Sequence, residues 1–340
     1  LKVLRQQLTQ ELIVRRTYIQ NPKVIETQYQ LPSYREITGI QQTRLNILLR
    51  KKSQVETLAK AIQDGKIRSL EINAIILDFE YGRDYLSSIE LLRNHNLQVG
   101  LATTRILKPH EYRNLKALLL LSPDLLLIRN LGALQYILEN RQSDIQLFGD
   151  FSLNVTNHLT AQYLLGKGLK SLCISYDLNR SQVTDLLKVQ PAQNFEITIH
   201  QHMPSFHMEH CVFTSFLSQG TSWRDCGKPC EKHEVQLRDQ FGHLHEIKPD
   251  QECRNTMYNA QAQSAARFIK EWSQVGLGYF RYEALSEDGR DLICKLAAYQ
   301  DYIFDRITLV ELNRILGPFE SYGLTEGQFT KDHEYQSRKK

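Results

Sequence analysis

The sequence predicts an α/β protein: a (β/α)8 barrel of the TIM type, with a cysteine-rich insertion after its seventh strand and a helical connector before its first. Three observations carry this. From Arg44 onward, short apolar runs rich in β-branched residues alternate eight times with amphipathic helical stretches. Charged or polar residues close seven consecutive runs, as at the mouth of a barrel. The longest gap between runs, residues 203–277, holds four of the six cysteines.

Taken in order, LKVLRQQLTQELIVRR sets Leu1, Leu4, Leu8 and Leu12 at helical spacing, and an irregular stretch with Pro22 and Pro32 follows. Residues 1–42 therefore read as a helical connector and linker. A start at Leu1 rather than Met leads us to expect a longer polypeptide upstream. The expected strands are 44–50, 74–80, 98–105, 124–130, 145–151, 171–177, 195–202 and 278–285. Between them, segments such as SQVETLAKAIQDGK, YLSSIELLRNHN and LTAQYLLGKGLK read as helices, the last two ending in Asn or Gly-Leu as helix C-termini often do. Residues 43–320 form the expected barrel, including the insertion, and 321–340 a C-terminal tail. A doubly wound open sheet is the competing architecture, but no Gly-rich phosphate loop follows the first strand.

Composition is that of an ordinary globular chain, at 41% hydrophobic and 24% charged. The net charge of +4 is uneven: residues 1–66 carry +7 and the remainder −3. A basic arm on an acidic body permits contact with RNA, and equally describes a solvated helix. No signal peptide opens the chain, and no apolar run approaches the roughly 20 residues of a membrane span. The expected setting is the cytoplasm, or a plastid in a eukaryote, where thiols stay reduced and clustered cysteines more often bind metal than form disulfides.

The strand ends supply the candidate site. Asp78 and Glu80 close the second strand, Arg105 the third, Arg129 with Asn130 the fourth, and Asp150 the fifth. Asp177 follows the sixth, His200 and His202 the seventh, and Arg281 with Glu283 the eighth. In the seventh, Phe195, Ile197 and Ile199 share one face, while Glu196, Thr198, His200 and His202 share the other. Strict alternation sends both histidines into the barrel mouth.

Cys211, Cys226, Cys230 and Cys253 give the spacing C-x14-C-x3-C-x22-C, and Gly227 and Pro229 suit a tight loop between the middle pair. Zinc commonly takes two close pairs of ligands, and only one is present. Four scattered thiols also suit a 4Fe–4S cluster. Spacing leaves both open. His200, His202, His207 and His210 crowd the approach to Cys211. Neither an HExxH helix nor a GxSxG elbow occurs.

The string HQHMPSFHMEHCVF, continued by RDCGKPCEKH and CRNT, resembles peptidase family U32, in particular the second barrel module of its long two-module members from bacteria and plastids. The resemblance runs from about Leu45 to Leu285 and includes AIILDFE, LATTRILKP, LLLIRNLGAL, GDFSLNV, ISYDLN and FRYE. It implies a barrel bearing a four-cysteine iron–sulfur site on Cys211, Cys226, Cys230 and Cys253. Some members are named collagenase-like peptidases. Others take part in oxygen-independent hydroxylation of a tRNA uridine or an rRNA cytidine, both linked to prephenate, or of the ubiquinone ring. Many have a further cysteine in a G-A-x-C segment, where this chain reads His202-Met203-Pro204-Ser205; Cys253 must then supply the fourth ligand.

The resulting expectation is an iron–sulfur barrel protein acting in oxygen-independent hydroxylation of an RNA base or similar ring. A peptidase is the alternative, and a non-catalytic module of a larger protein the second. His200, His202, Arg281 and Glu283 are the candidate catalytic residues. Glu80, Arg105, Arg129, Asn130 and Asp150 are the candidate substrate contacts. The expected cofactor is a 4Fe–4S cluster, with zinc as its competitor. Expected partners are tRNA or rRNA, a small carboxylate donor such as prephenate, and an upstream barrel module.

Overall fold

The computed structural model describes residues 1–18, 32–35, 42–140 and 144–330. The chain divides into two compact units, Leu1–Ser33 and Tyr34–Lys340. In the first, helix α1 (Lys2–Thr17) leaves Leu4, Leu8 and Leu12 exposed and buries no residue. Pro22 and most of the irregular stretch lie outside the described residues.

In the second unit the eight expected strands form where the apolar runs lie. They are β1 (Arg44–Leu49), β2 (Ile72–Leu77), β3 (Gln98–Ala102), β4 (Leu125–Ile128), β5 (Gln146–Gly149), β6 (Ser171–Cys173), β7 (Phe195–Met208) and β11 (Tyr279–Glu283). Each pairs in parallel with the next, and β11 closes the cylinder by pairing with both β7 and β1. Phe280 thus sits beside Ile197 on one side and Leu45 on the other. Helices α2 (Lys52–Gln63), α3 (Tyr85–Arg93), α4 (Tyr112–Leu120), α5 (Leu131–Asn140), α6 (His158–Gly166), α7 (Arg180–Val189) and α10 (Gly289–Ile303) belong to the outer layer. Outward side chains such as Ile47, Ile75, Leu147 and Phe280 share one large core with helix residues such as Leu58, Leu92 and Leu296.

β7 does not stop at the rim. It runs on to Met208 and pairs antiparallel with β10 (Asn255–Ser264), which in turn carries the hairpin of β8 (Val235–Arg238) and β9 (Leu244–Pro249). The insertion is thus a continuation of the barrel wall, with the short helix α8 (Val212–Leu217) and the cysteine loop attached. Residues 321–330, expected as part of a tail, belong to the fold: β12 (Leu324–Thr325) pairs with β10, and Phe329 packs on Phe268 and Trp272 with ring centres 5.8 and 5.2 Å apart.

Inside the barrel, Leu48, Ala74, Ile76, Ala102, Leu125, Leu127 and Phe148 make a small dry cluster on β1–β5. Beside it the interior is polar and largely charged, with Asn46, Cys173 and Thr198 among the ions. Arg281, fully buried, meets Asp150 at 2.5 Å, Glu196 at 3.0 Å and Glu283 at 3.0 Å. Arg129 bonds Asp150 at 2.8 Å and grips Asp78 through two contacts of 2.9 Å. Arg50 meets Glu283 at 2.9 Å and Asp78 at 3.6 Å. Arg281, Asp150, Arg129, Asp78, Arg50 and Glu283 therefore form a closed ring of alternating sign, with Glu196 attached at Arg281. Burial pushes the Glu196 carboxyl up, against the pull of Arg281.

Removing one member of a buried ion pair strands its partners in low dielectric, typically at about 3–5 kcal/mol. Arg281→Leu is expected to lose stability on that scale in urea unfolding, because it leaves three carboxylates without their shared cation. Acid should act on the same ring. Burial alone would raise the Asp150 carboxyl, but Arg281 and Arg129 beside it hold it at about 2, against an ordinary 3.8. The folded state thus binds fewer protons than the unfolded chain between those values. The stabilisation from Asp150 is complete above pH 4 and lost as pH falls through 2. Urea midpoints measured from pH 5 to 2 should fall for the wild type, and fall less steeply for Arg281→Leu.

Candidate functional site

Above the ring lies a cavity of about 450 Å³. Its floor is Arg50, Asp78, Arg129 and Glu283; its walls come from the loops after β2, β3 and β5; its roof is the insertion. The roof is pinned at several points. The Gln251 amide donates to the Phe79 carbonyl at 3.1 Å and meets the Tyr85 hydroxyl at 2.8 Å, and Asn114 meets Glu252 at 2.6 Å. Arg83 reaches Glu231 at 3.3 Å, and Lys51 reaches Glu234 at 3.4 Å.

The charged strand ends divide into those that bind each other and those that face the cavity. Arg129, Arg281 and Asp150 spend their hydrogen-bonding capacity on the ring. Arg281 and Asp150 have no exposed surface, so these two form the foundation beneath the floor. Asn130 accepts from the Ala133 N–H at 2.7 Å and donates to the Thr104 carbonyl at 3.0 Å, which ties the start of α5 to the β3 loop. Glu283 lines the floor with both oxygens turned to arginines. Arg105 differs. It lines the cavity with its guanidinium 5.5 Å from the centre of the Phe151 ring, and among the described residues it has no hydrogen bond or ion pair. An unpaired guanidinium stacked on an aromatic face suits a carboxylate or phosphate.

Glu80 also faces the cavity. Burial pushes its carboxyl up to about 7, with Lys248, Lys51 and a Tyr81 hydrogen bond too weak to reverse it. A carboxyl titrating there can both give and take a proton near neutrality.

The expectation that His200 and His202 enter the barrel mouth is corrected by a bulge. Arg281 pairs with Thr198, but the next residue, Tyr282, pairs with His200, so β7 takes an extra residue at Ile199 and the alternation flips. His200 is fully buried on the outer side, stacked on Tyr282 at 4.7 Å and bonded to the Tyr299 hydroxyl of α10 at 3.1 Å. His202 lies beside it, bonded to the Asn259 carbonyl at 2.8 Å. Neither lines the cavity.

Two histidines do line it, and neither is among the candidate catalytic residues: His233, which is exposed, and the half-buried His207. Its Nδ1 meets the Thr256 hydroxyl at 2.8 Å, and its Nε2 lies 4.0 Å from Asp250. Burial, with Arg105, Arg254 and Arg129 nearby, pushes this imidazole down to about 4, so it is neutral near pH 7. Burial pushes the Asp250 carboxyl up. Arg50 and Tyr258, 5.2 Å apart from guanidinium to ring centre, were missed as well. Strand-end polarity could have found Arg50, the last residue of the first apolar run. Nothing in the alternation points to His207, which belongs to the overhanging part of β7.

The four cysteines of the insertion lie within electrostatic reach of one another. Burial and the neighbouring Cys211, Cys230 and Cys226 push the Cys253 thiol up to about 11. Cys230 is raised by burial, with a Tyr81 hydrogen bond pulling the other way, and it lines the cavity. The donor set fits a thiolate-bound metal or iron–sulfur cluster, whose positive charge reverses the repulsion among thiolates. Among the described residues no three His, Cys, Asp or Glu side chains form a group that could already hold an ion. The thiols are neighbours that do not form a closed site.

A closed parallel barrel with its polar cavity under a thiol-bearing roof defines the class: an α/β barrel protein whose candidate chemistry sits at the C-terminal ends of the strands. The family follows from the sequence: residues 45–320 match the model of peptidase family U32, and the chain belongs to that family. No curated protein matches the chain. Among solved structures, a designed cube-shaped porous cage built from fused symmetric oligomeric domains is 12% identical, with a TM-score of 0.41, covering 88% of this chain and 78% of its own. A multi-modular cell-surface chitinase of Paenibacillus sp. strain FPU-7 is 12% identical with a TM-score of 0.29, covering 75% of this chain. The chain spans about a third (35%) of that chitinase's length. Neither likeness bears on function. No helix among the described residues is long and apolar enough to cross a membrane.

Glu80 gives a pH signature of the cavity. Its folded carboxyl titrates at about 7 against an ordinary 4.5, so the folded state holds the proton more tightly than the unfolded chain. Its contribution to stability falls as pH rises from 4.5 through 7. Glu80→Gln is expected to remove that slope, which urea midpoints taken across pH 4–8 will show.

Proposed function

We propose that this chain is an iron–sulfur barrel protein of family U32 that acts in oxygen-independent hydroxylation of an RNA base or similar ring. The observation that carries the proposal is the meeting of two features in one cavity: Cys230 of the insertion's thiols, and the unpaired Arg105 with Glu80 on the same lining. Cys211, Cys226, Cys230 and Cys253 would hold the cluster, which supplies electron transfer or activation of a substrate when bound. Arg105 would bind the carboxylate of a small donor of the prephenate type, stacked against Phe151. Glu80 would exchange the proton that such a transfer requires. The overhanging roof leaves a covered site suited to a ring presented from outside.

One observation favours the peptidase reading. Thr256, His207 and Asp250 form a hydroxyl–imidazole–carboxyl series on the cavity wall. Two facts weigh against it. The His207–Asp250 separation of 4.0 Å exceeds a hydrogen bond, and an imidazole titrating at about 4 is a poor base at neutral pH.

Protein prepared without oxygen decides between them. The proposal expects about four iron and four acid-labile sulfide per chain, and loss of one hydroxylated nucleoside from the RNA of cells carrying Arg105→Ala or Glu80→Gln. A colourless protein with zinc and no sulfide overturns it. Cleavage of gelatin that survives chelation and is abolished by Thr256→Ala and by His207→Ala would establish the peptidase instead.

A further inference from the structure

The two residues that follow Cys253 are buried polar groups with no place in the cavity chemistry. Arg254 is 2% exposed and Asn255 fully buried. Arg254 Nε donates to Glu209 at 2.8 Å, and its Nη2 donates to both oxygens of Glu111 at 2.9 Å. Glu209 stands two residues before Cys211 and also meets Lys108 at 2.5 Å. Glu111 sits at the start of α4, on the barrel. The Asn255 side chain accepts from the N–H of Val212, the residue after Cys211, at 2.8 Å, and donates to the Cys253 carbonyl at 3.3 Å. Cys253 itself is held in the left-handed region at φ +62°, its N–H bonded to the Asp250 carbonyl at 3.0 Å. The chain on both sides of Cys211 is thereby fastened to the segment that carries Cys253, and Glu111 fastens both to the barrel.

A buried ion pair adds little stability over a well-packed apolar substitute, and its best-attested use is to specify one geometry. The geometry specified here is the approach of two cysteines 42 residues apart in the chain, counted from 211 to 253. We propose that Arg254 and Asn255 are positioning residues, which hold Cys211 and Cys253 at one separation so that a metal or cluster meets them already paired. This rests on the reading that the four cysteines bind such a group. Outer partners of this kind typically carry about 10–100-fold in metal affinity.

The test compares wild type, Arg254→Met, Arg254→Lys and Glu209→Gln in the full chain. One measurement follows loss of bound metal to excess EDTA after anaerobic preparation. A second treats metal-free, reduced protein with dibromobimane, which bridges neighbouring thiols, and maps the linked peptides by mass spectrometry. Arg254→Met is expected to lose metal about 10–100-fold faster, and to lose most of the Cys211–Cys253 cross-link while keeping the Cys226–Cys230 cross-link. Arg254→Lys should recover part of both. Glu209→Gln leaves the Glu111 contacts intact and should shift both readouts in the same direction by a smaller factor; it keeps the test decisive if Arg254→Met fails to fold. Wild-type behaviour in Arg254→Met, or in Glu209→Gln where the former is unfolded, overturns the proposal. If the wild type holds no metal at all, the cofactor reading fails, and the cross-linking comparison still decides whether Arg254 positions the two thiols.

Discussion

The mouth of this barrel stands on a ring of six charges that close on one another: Arg281, Asp150, Arg129, Asp78, Arg50 and Glu283. No single pair explains it, because each arginine bridges two carboxylates and each carboxylate two arginines. Ions this deep are costly to desolvate, and mutual pairing is what makes the cost tolerable. The three arginines and three carboxylates of the ring balance in charge, and burial pushes up the carboxyl of Glu196 attached at Arg281. The consequence for the site is selective. Residues that belong to the ring are committed to it, which leaves Arg105 as a guanidinium free to meet something from outside.

The roof follows a related logic. A flexible lid would need hinges; this one begins as the overhang of β7 and is clamped by Gln251, Glu252, Glu231 and Glu234 to the loops after β1 and β2 and to α3 and α4. The cysteines therefore sit on a scaffold fixed to the same strand ends that shape the cavity. That arrangement couples the thiols to the floor without any one residue reaching across.

The barrel was legible because β-branched apolar runs and helical stretches alternate at a spacing few other architectures use; six of the eight strands formed within their runs, while β2 began two residues early and β7 ran six residues on. Tertiary pairing was not legible. Asp150 and Arg281 are 131 residues apart, and nothing local announces that one neutralises the other. Both therefore looked like groups awaiting a ligand. The direction of His200 was lost for a different reason: one extra residue at Ile199 inverts the faces of the strand, and alternation cannot register a bulge that depends on the neighbouring strand's pairing. Glu80 and Arg105 lie three residues past the ends of β2 and β3, on the loops that line the cavity. Arg254 and Asn255 carried no signal except their adjacency to Cys253.

The insertion between β7 and β11 also lengthens the chain that must close before the barrel is complete. Arg281 and Glu283 ride on the last strand of the cylinder, which must pair with β1 some 235 positions earlier, from Arg44 to Tyr279. Contacts so distant in sequence form late, since their loop-closure entropy is met only at the end. Without β11, Glu196 would lack its arginine and Asp150 would keep Arg129 alone, in a trough open to water. The strand that completes the wall is also the one that dries it.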